Sequence, residues 1–232
     1  MTDWLTPDEW NAVALSLRVS LVATACSLPF GLLTAYALAR WQFRGRQVLN
    51  GLVHLPLILP PVVTGYLLLI TFGRRGTVGQ FMDQWFGIAL SFRWTGAALA
   101  AAVMAFPLMV RAIRLGIEAV DPKLEAAAGT LGASPVWVFL TVTLPLILPG
   151  IIAGAILAFA KAMGEFGATI TFVSNIPGQT QTLPSAIFTH LQVPGGEGSV
   201  FRLIWVAIAV AMAALVLSEW VSRAVARRIG GA

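Results

Sequence analysis

The sequence predicts an all-α integral membrane protein. Of its 232 residues, 58% are hydrophobic and 11% charged, with a mean hydropathy of +0.83, whereas an average soluble domain is about 25% charged. Apolar runs lie near residues 12–39, 49–72, 94–117, 147–173 and 203–222, each matching the roughly 20 residues that cross bilayer hydrocarbon. Charged residues gather between these runs. A single transmembrane domain of about five helices, spanning 1–232 in contact with lipid, is the expectation.

The formal charge of +5 and pI near 10.3 do not point to nucleic acid, because arginine and lysine sit at the run ends and build no basic face interleaved with aromatics. Cys26 is the lone cysteine, which excludes an intrachain disulfide and a cysteine metal site. The amino terminus carries Asp3, Asp8 and Glu9 with no basic residue, unlike the positive start of a signal peptide.

In chain order, the first run contains Pro29 and Gly31, where a kink is expected, and closes on Arg40, Arg44 and Arg46. Arg18 lies inside its other end, positioned to snorkel to headgroups. The second run contains HLPLILPPVVTGY, where Pro56, Pro60 and Pro61 remove three backbone donors. Irregular backbone at membrane depth survives only when buried in protein or lining a cavity, so the segment reads either as a pathway-lining break or as a kinked packing helix. A loop is expected from Gly73 to Arg93, holding Arg74, Arg75 and Asp83. The third run, bent at Pro107, leads through Arg111 and Arg114 into a connection at 118–146. The fourth places Lys161 and Glu165 one turn apart on one face. They read as an internal ion pair fixing two helices, with a gating role as the alternative. After a polar stretch from Ser174 to Val200, in which TLPSAIFTHLQV reads as a re-entrant or surface helix, the last run ends in Arg223, Arg227 and Arg228. With alternation, the three basic loops share one side, which the positive-inside rule makes cytoplasmic. The amino terminus is then external and the carboxyl terminus cytoplasmic. Arg74, Arg75 and Arg93 fall outside, where cations suit an anionic substrate.

The 118–146 connection is the most sharply punctuated stretch. Asp121 can cap and Pro122 open a short helix to Leu131, Gly132 can end it in left-handed backbone, and Ser134 with Pro135 can start another. Ala126, Ala127, Ala128 and Gly129 give the short helix a side without bulk, fit for close approach by another protein.

Enzyme signatures are scarce. No GxxxxGK[ST] loop is present, His54 and His190 lack neighbouring carboxylates at metal spacing, and Glu165 and Glu219 are the intramembrane carboxylates available to a self-powered transporter. An ion-coupled secondary transporter using Glu165 and a membrane scaffold remain open on the residues alone.

The connection resembles the EAA loop of ABC-importer permeases, E-A-A, three residues, G, nine residues, then I-x-L-P. With Gly132 as its glycine, Val142, Leu144 and Pro145 fall on I-x-L-P and Ala126, Ala127 and Ala128 on E-A-A, leaving Glu125 one residue early. Further segments, SLPFGLLTAYALAR, HLPLILPPVVTGYLLLITFGRRGTVG, FPLMVRAIRLGIE and GEFGATITFVSNIPGQTQTLPSAIF, resemble the molybdate-permease family, with GYLLL and GRRG favouring molybdate over sulfate permeases. The resemblance implies a type I ABC importer permease fold with a cytoplasmic coupling helix, located in the bacterial inner membrane and carrying molybdate or tungstate. It implies a homodimer, two ATPase subunits that bind ATP and Mg, and an external or periplasmic binding protein, with no cofactor or metal in this chain. Lys123, Glu125, Ala126, Ala127, Ala128, Leu131 and Gly132 would form the ATPase contact. Pro60, Pro61, Thr64, Gly65, Thr169 and Thr171 are candidate pathway residues, with Lys161 and Glu165 beside them.

Overall fold

A computed structural model describes residues 4–229, with side chains from Trp4 to Leu217 and those of Glu219 and Trp220. The side chains of Asp3, Arg223, Arg227 and Arg228 lie outside the described residues. Eleven α-helices follow one another: α1 (Pro7–Arg40), α2 (Arg46–Ile58), α3 (Pro61–Phe72), α4 (Thr77–Phe86), α5 (Trp94–Glu118), α6 (Pro122–Thr130), α7 (Pro135–Val138), α8 (Leu144–Met163), α9 (Gly167–Val173), α10 (Leu183–Leu191) and α11 (Glu197–Ile229). A five-residue π-helical stretch, Phe139–Thr143, joins α7 to α8. The described residues contain no strand.

Four continuous segments, Pro7–Arg40, Trp94–Glu118, Pro135–Met163 and Glu197–Leu217, are long and apolar enough to cross a membrane. The pair α2 and α3 qualifies only when taken together, bent by 114° at the junction. Its cause is local: Leu59 and Pro60 are extended, with ψ of 144° and 135°, as residues preceding proline prefer, and Pro61 opens the next helix at a position where its missing N–H is harmless. Pro29 and Pro107, by contrast, lie inside α1 and α5 without ending either helix.

The helix starts are written in local chemistry. At α1, the Glu9 N–H donates to Thr6 Oγ1 at 3.3 Å and the Thr6 N–H donates to Glu9 Oε2 at 2.8 Å, a complete capping box ahead of Pro7.

The core is built around α5, flanked by α1 and α8. Ala97, Ala100, Ala101, Met109, Val110, Ile113 and Ile117 are wholly buried along it. Small residues bring α5 and α8 together: a Cβ on Gly150 would stand 3.2 Å from Gly116 Cα, and one on Gly154 3.0 Å from Met109 O. Lipid is as apolar as leucine, so helices in a membrane gain from close van der Waals packing, and the G-x-x-x-G spacing of Gly150 and Gly154 permits it.

Two expected stretches differ. The run at 147–173 is two helices, because the chain turns at Gly164–Phe166 and restarts at Gly167. The loop from Gly73 to Arg93 contains α4, whose Phe81 ring centroid lies 6.0 Å from that of Trp85 and 6.2 Å from that of Phe86. Glycines at 76 and 79 dilute its helical signal, and Gly87, at φ +64°, closes it.

Candidate functional site

The connection from α5 to α8 carries a short exposed helix, α6. Asp121 Oδ1 accepts the Lys123 N–H at 2.9 Å, and Ser134 Oγ accepts the Trp137 N–H at 3.4 Å. Between them Gly132, at φ +84°, completes a Schellman turn in which the Ala133 N–H reaches Ala128 O at 3.4 Å and the Gly132 N–H reaches Gly129 O at 3.0 Å. No residue of α6 is buried. Lys123, Ala126 and Ala127 are exposed and Ala128 is half-buried, while Leu131, at 89% exposure, stands out beside Val136 and Trp137.

Glu125 faces the other way. Its Oε1 accepts from Thr143 Oγ1 at 2.7 Å and from Arg40 Nη2 at 3.4 Å, and Arg40 Nη2 also donates to Val120 O at 3.0 Å. One carboxylate thus fastens α6 to the end of α1 and the π-helical start of α8. Arg114 donates to Asn50 Oδ1 at 3.2 Å, placing the α2 start at the same end.

The two distinctive motifs meet as α3 on α9. A Cβ on Gly65 would lie 2.6 Å from Ala168 O and 2.8 Å from Thr171 Cβ, and one on Gly167 would lie 2.7 Å from Pro61 Cβ. Both glycines are therefore fixed by space. Pro60 and Pro61 are exposed on this face, whereas Thr64 and Thr169 are buried within the chain. Thr171 Oγ1 donates to Gly167 O at 2.8 Å, and Thr64 Oγ1 has no partner.

Lys161 Nζ lies 2.7 Å from Glu165 Oε2, and the other oxygen of that buried carboxylate accepts the Ala168 N–H at 3.0 Å. Glu165 therefore holds the α8–α9 corner and caps the start of α9. Its acceptors are committed within the chain.

Sequence reasoning did not find the pair joining the ends of α1 and α11, where Arg202 Nη2 and Nε reach the Glu9 carboxylate at 2.6 and 3.2 Å. Glu9 was visible as an acid before an apolar run, but its partner is distant in sequence. Arg18, an exposed residue, places its guanidinium 3.8 Å from the Trp94 ring centroid, an aromatic face being a partner that needs no counter-charge. His54 Nδ1 lies 2.8 Å from Asn50 O, which puts the proton on Nδ1 because a carbonyl only accepts. No group of three or more His, Cys, Asp or Glu gathers among the described residues.

A short, capped, exposed helix fastened between long membrane helices agrees with the comparisons to known proteins. The family described as "Binding-protein-dependent transport system inner membrane component" matches residues 27–231. This chain belongs to that family. It is therefore a membrane permease subunit of an ABC importer, not itself an enzyme. The permease is 59% identical over 226 residues, 97% of its length and 99% of the relative's, to "Molybdenum transport system permease protein ModB" of Escherichia coli K12. To "Sulfate transport system permease protein CysT" of Salmonella typhimurium it is 39% identical, covering 80% of the chain and 67% of that relative. The solved structure of a bacterial ABC transporter involved in alginate import aligns with a TM-score of 0.73 at 18% identity, over 94% of the permease and 80% of that chain. At that identity the match speaks for the fold, the type I importer permease architecture.

Proposed function

We propose that this permease carries molybdate, and its congener tungstate, into the cytoplasm. The observation that carries the cargo is the 59% identity, over almost all of both chains, to a molybdenum permease; the sulfate relative is more distant at 39%. Two copies of the chain form the membrane unit, two ATPase subunits bind ATP and Mg on the α6 side, and an external binding protein delivers the oxyanion. The basic ends at Arg40, Arg46, Arg111, Arg114 and Lys123 support a cytoplasmic α6 side, an external amino terminus and a cytoplasmic carboxyl terminus in this reading.

In this reading α6 seats in a groove of the ATPase. Its flat alanine side, Ala126, Ala127 and Ala128, allows close approach, Leu131 enters an apolar pocket, and Lys123 and Gly132 flank the contact. When ATP draws the ATPases together, α6 moves and pulls on α1 and α8 through Glu125. The two orientations interconvert because ATP and the loaded binding protein favour different states, and only such differential affinity shifts an equilibrium.

A dianion needs a path that is polar enough to enter and too weak to trap. The face bearing Pro60 and Pro61 supplies irregular backbone without a bare charge, with Thr64, Gly65, Thr169 and Thr171 packed behind it. The membrane cations support this, since Lys161, Arg18 and Arg202 each have a partner. The test is uptake of labelled molybdate by proteoliposomes containing the whole complex. Uptake should require ATP and the binding protein and be competed by tungstate more strongly than by sulfate. Uptake driven by an ion gradient without ATP, or better competition by sulfate, would overturn the reading.

A further inference from the structure

The end of the permease opposite α6 holds arginines that the fold leaves unused. Helix α5, 25 residues long, separates the two ends by about 37 Å. Just before it, Arg74, Arg75 and Arg93 are exposed, and none forms an ion pair among the described residues. Cations on a flexible loop would signify little, but this loop is clamped. Gly73, Gly76 and Gly79 are buried against the last carbonyls of α3: a Cβ on Gly73 would collide with Leu69 O, one on Gly76 with Ile70 O and Thr71 O, and one on Gly79 with Gly73 O. Three glycines at a spacing of three thus fix the backbone and leave Arg74 and Arg75 pointing out of a rigid turn.

Beside that turn is a cavity of about 420 Å³ whose lining is apolar at Leu69, Ile70 and Phe92 and polar at Arg74, Arg75 and Ser91. Ser91 is only 4% exposed, yet its Oγ has no hydrogen-bond partner. A buried hydroxyl without a partner costs free energy unless something else completes it. The volume suits a hydrated tetrahedral anion, a water in the liquid occupying about 30 Å³.

We propose that this cavity is an external receiving site for the oxyanion, in which Arg74 and Arg75 provide charge and Ser91 a hydrogen-bond donor. The proposal rests on the reading of the chain as an oxyanion permease. Both guanidiniums face water, so their attraction is screened over about 10 Å at ordinary salt. The site therefore gathers the anion released from the binding protein and gives it up readily, as steering requires.

The experiment uses the whole complex in nanodiscs without binding protein, with labelled molybdate as the probe. The unaltered complex should retain label saturably and lose it as salt rises. R74Q/R75Q should weaken retention by about tenfold or more, R74K/R75K should keep part of it, and S91A should weaken it severalfold. Absence of saturable retention in the unaltered complex, or retention unchanged in R74Q/R75Q, overturns the site. A second arm measures the binding-protein concentration for half-maximal uptake. If R74Q/R75Q raises that concentration while retention is kept, the arginines hold carboxylates of the binding protein and the proposal is overturned. If the complex retains and imports labelled sulfate in place of molybdate, through the same residues, the receiving site stands and the cargo reading fails.

Discussion

Glu9 and Gly132 show two ways in which one residue fixes its surroundings. Glu9, 1% exposed, is held by Arg202 and by the Thr6 N–H, so its charge has exchanged water for a complete set of donors. Removing Arg202 strands that charge, and breaking such a pair costs about 3 kcal/mol. Arg202→Met should therefore lower the melting temperature of the purified complex more than Glu9→Gln does, with the double variant E9Q/R202M losing less than the two single losses added. Equal, additive losses would show that the two groups do not act as a pair. Gly132 acts through backbone alone: nothing lies within 4 Å of a Cβ built there, but its φ is +84°. Gly132→Ala should cost about 1 kcal/mol of local stability, whereas Gly132→Arg should also block ATPase seating, read as loss of co-purified ATPase. The turn at Gly132 was legible because cap, proline and glycine follow one another along the chain. The Glu9–Arg202 pair was not, because 193 residues separate its members and no local rule joins them.

Between elements, glycine decides which helices touch. The α3–α9 contact has no room for a methyl group at Gly65, and overpacking a close contact costs about 1–3 kcal/mol. Gly65→Ala should lower thermal stability by that amount and reduce molybdate uptake severalfold. Gly51→Ala in α2 is the control: nothing lies near its Cβ, so it should leave stability unchanged or raise it by up to about 1 kcal/mol. Comparable losses at both positions would refute the contact as the cause. The hydrophobic runs were enough to reveal the long helices, since span length is set by the bilayer. They did not reveal that the run through Gly164 divides, because Glu165 caps the restart of α9 at the Ala168 N–H while also pairing with Lys161, and the i,i+4 spacing of that pair reads as one continuous helix. Pro60 and Pro61 did disclose a break, but not its 114° bend, because residues preceding proline are restricted to extended backbone without the angle between the flanking helices being fixed.

For the whole molecule, the question is how a helix with no buried residue can move spans that are well packed. The link in the structure is Glu125, held by Arg40 of α1 and by Thr143 at the head of α8, both of which pack on α5. Displaced by one position from the EAA pattern, this acid is used inside the subunit, while Ala126, Ala127 and Leu131 stay exposed. Glu125→Ala removes both tethers while leaving the exposed docking surface as it is. ATPase subunits should still co-purify and hydrolyse ATP, but α6 would move without carrying α1 and α8, so molybdate imported per ATP should fall by about fivefold or more, the loss of a partly buried charged contact being about 1–3 kcal/mol. Glu125→Gln keeps an acceptor for Thr143 and should fall between the alanine variant and the unaltered protein. Arg40→Ala should resemble Glu125→Ala, and the double variant E125A/R40A should be little worse than either alone, since residues in one network are not additive. Measured in proteoliposomes as the ratio of imported molybdate to phosphate released, an unchanged ratio in Glu125→Ala would show that force passes through the chain connections of α6 and not through its side-chain tethers.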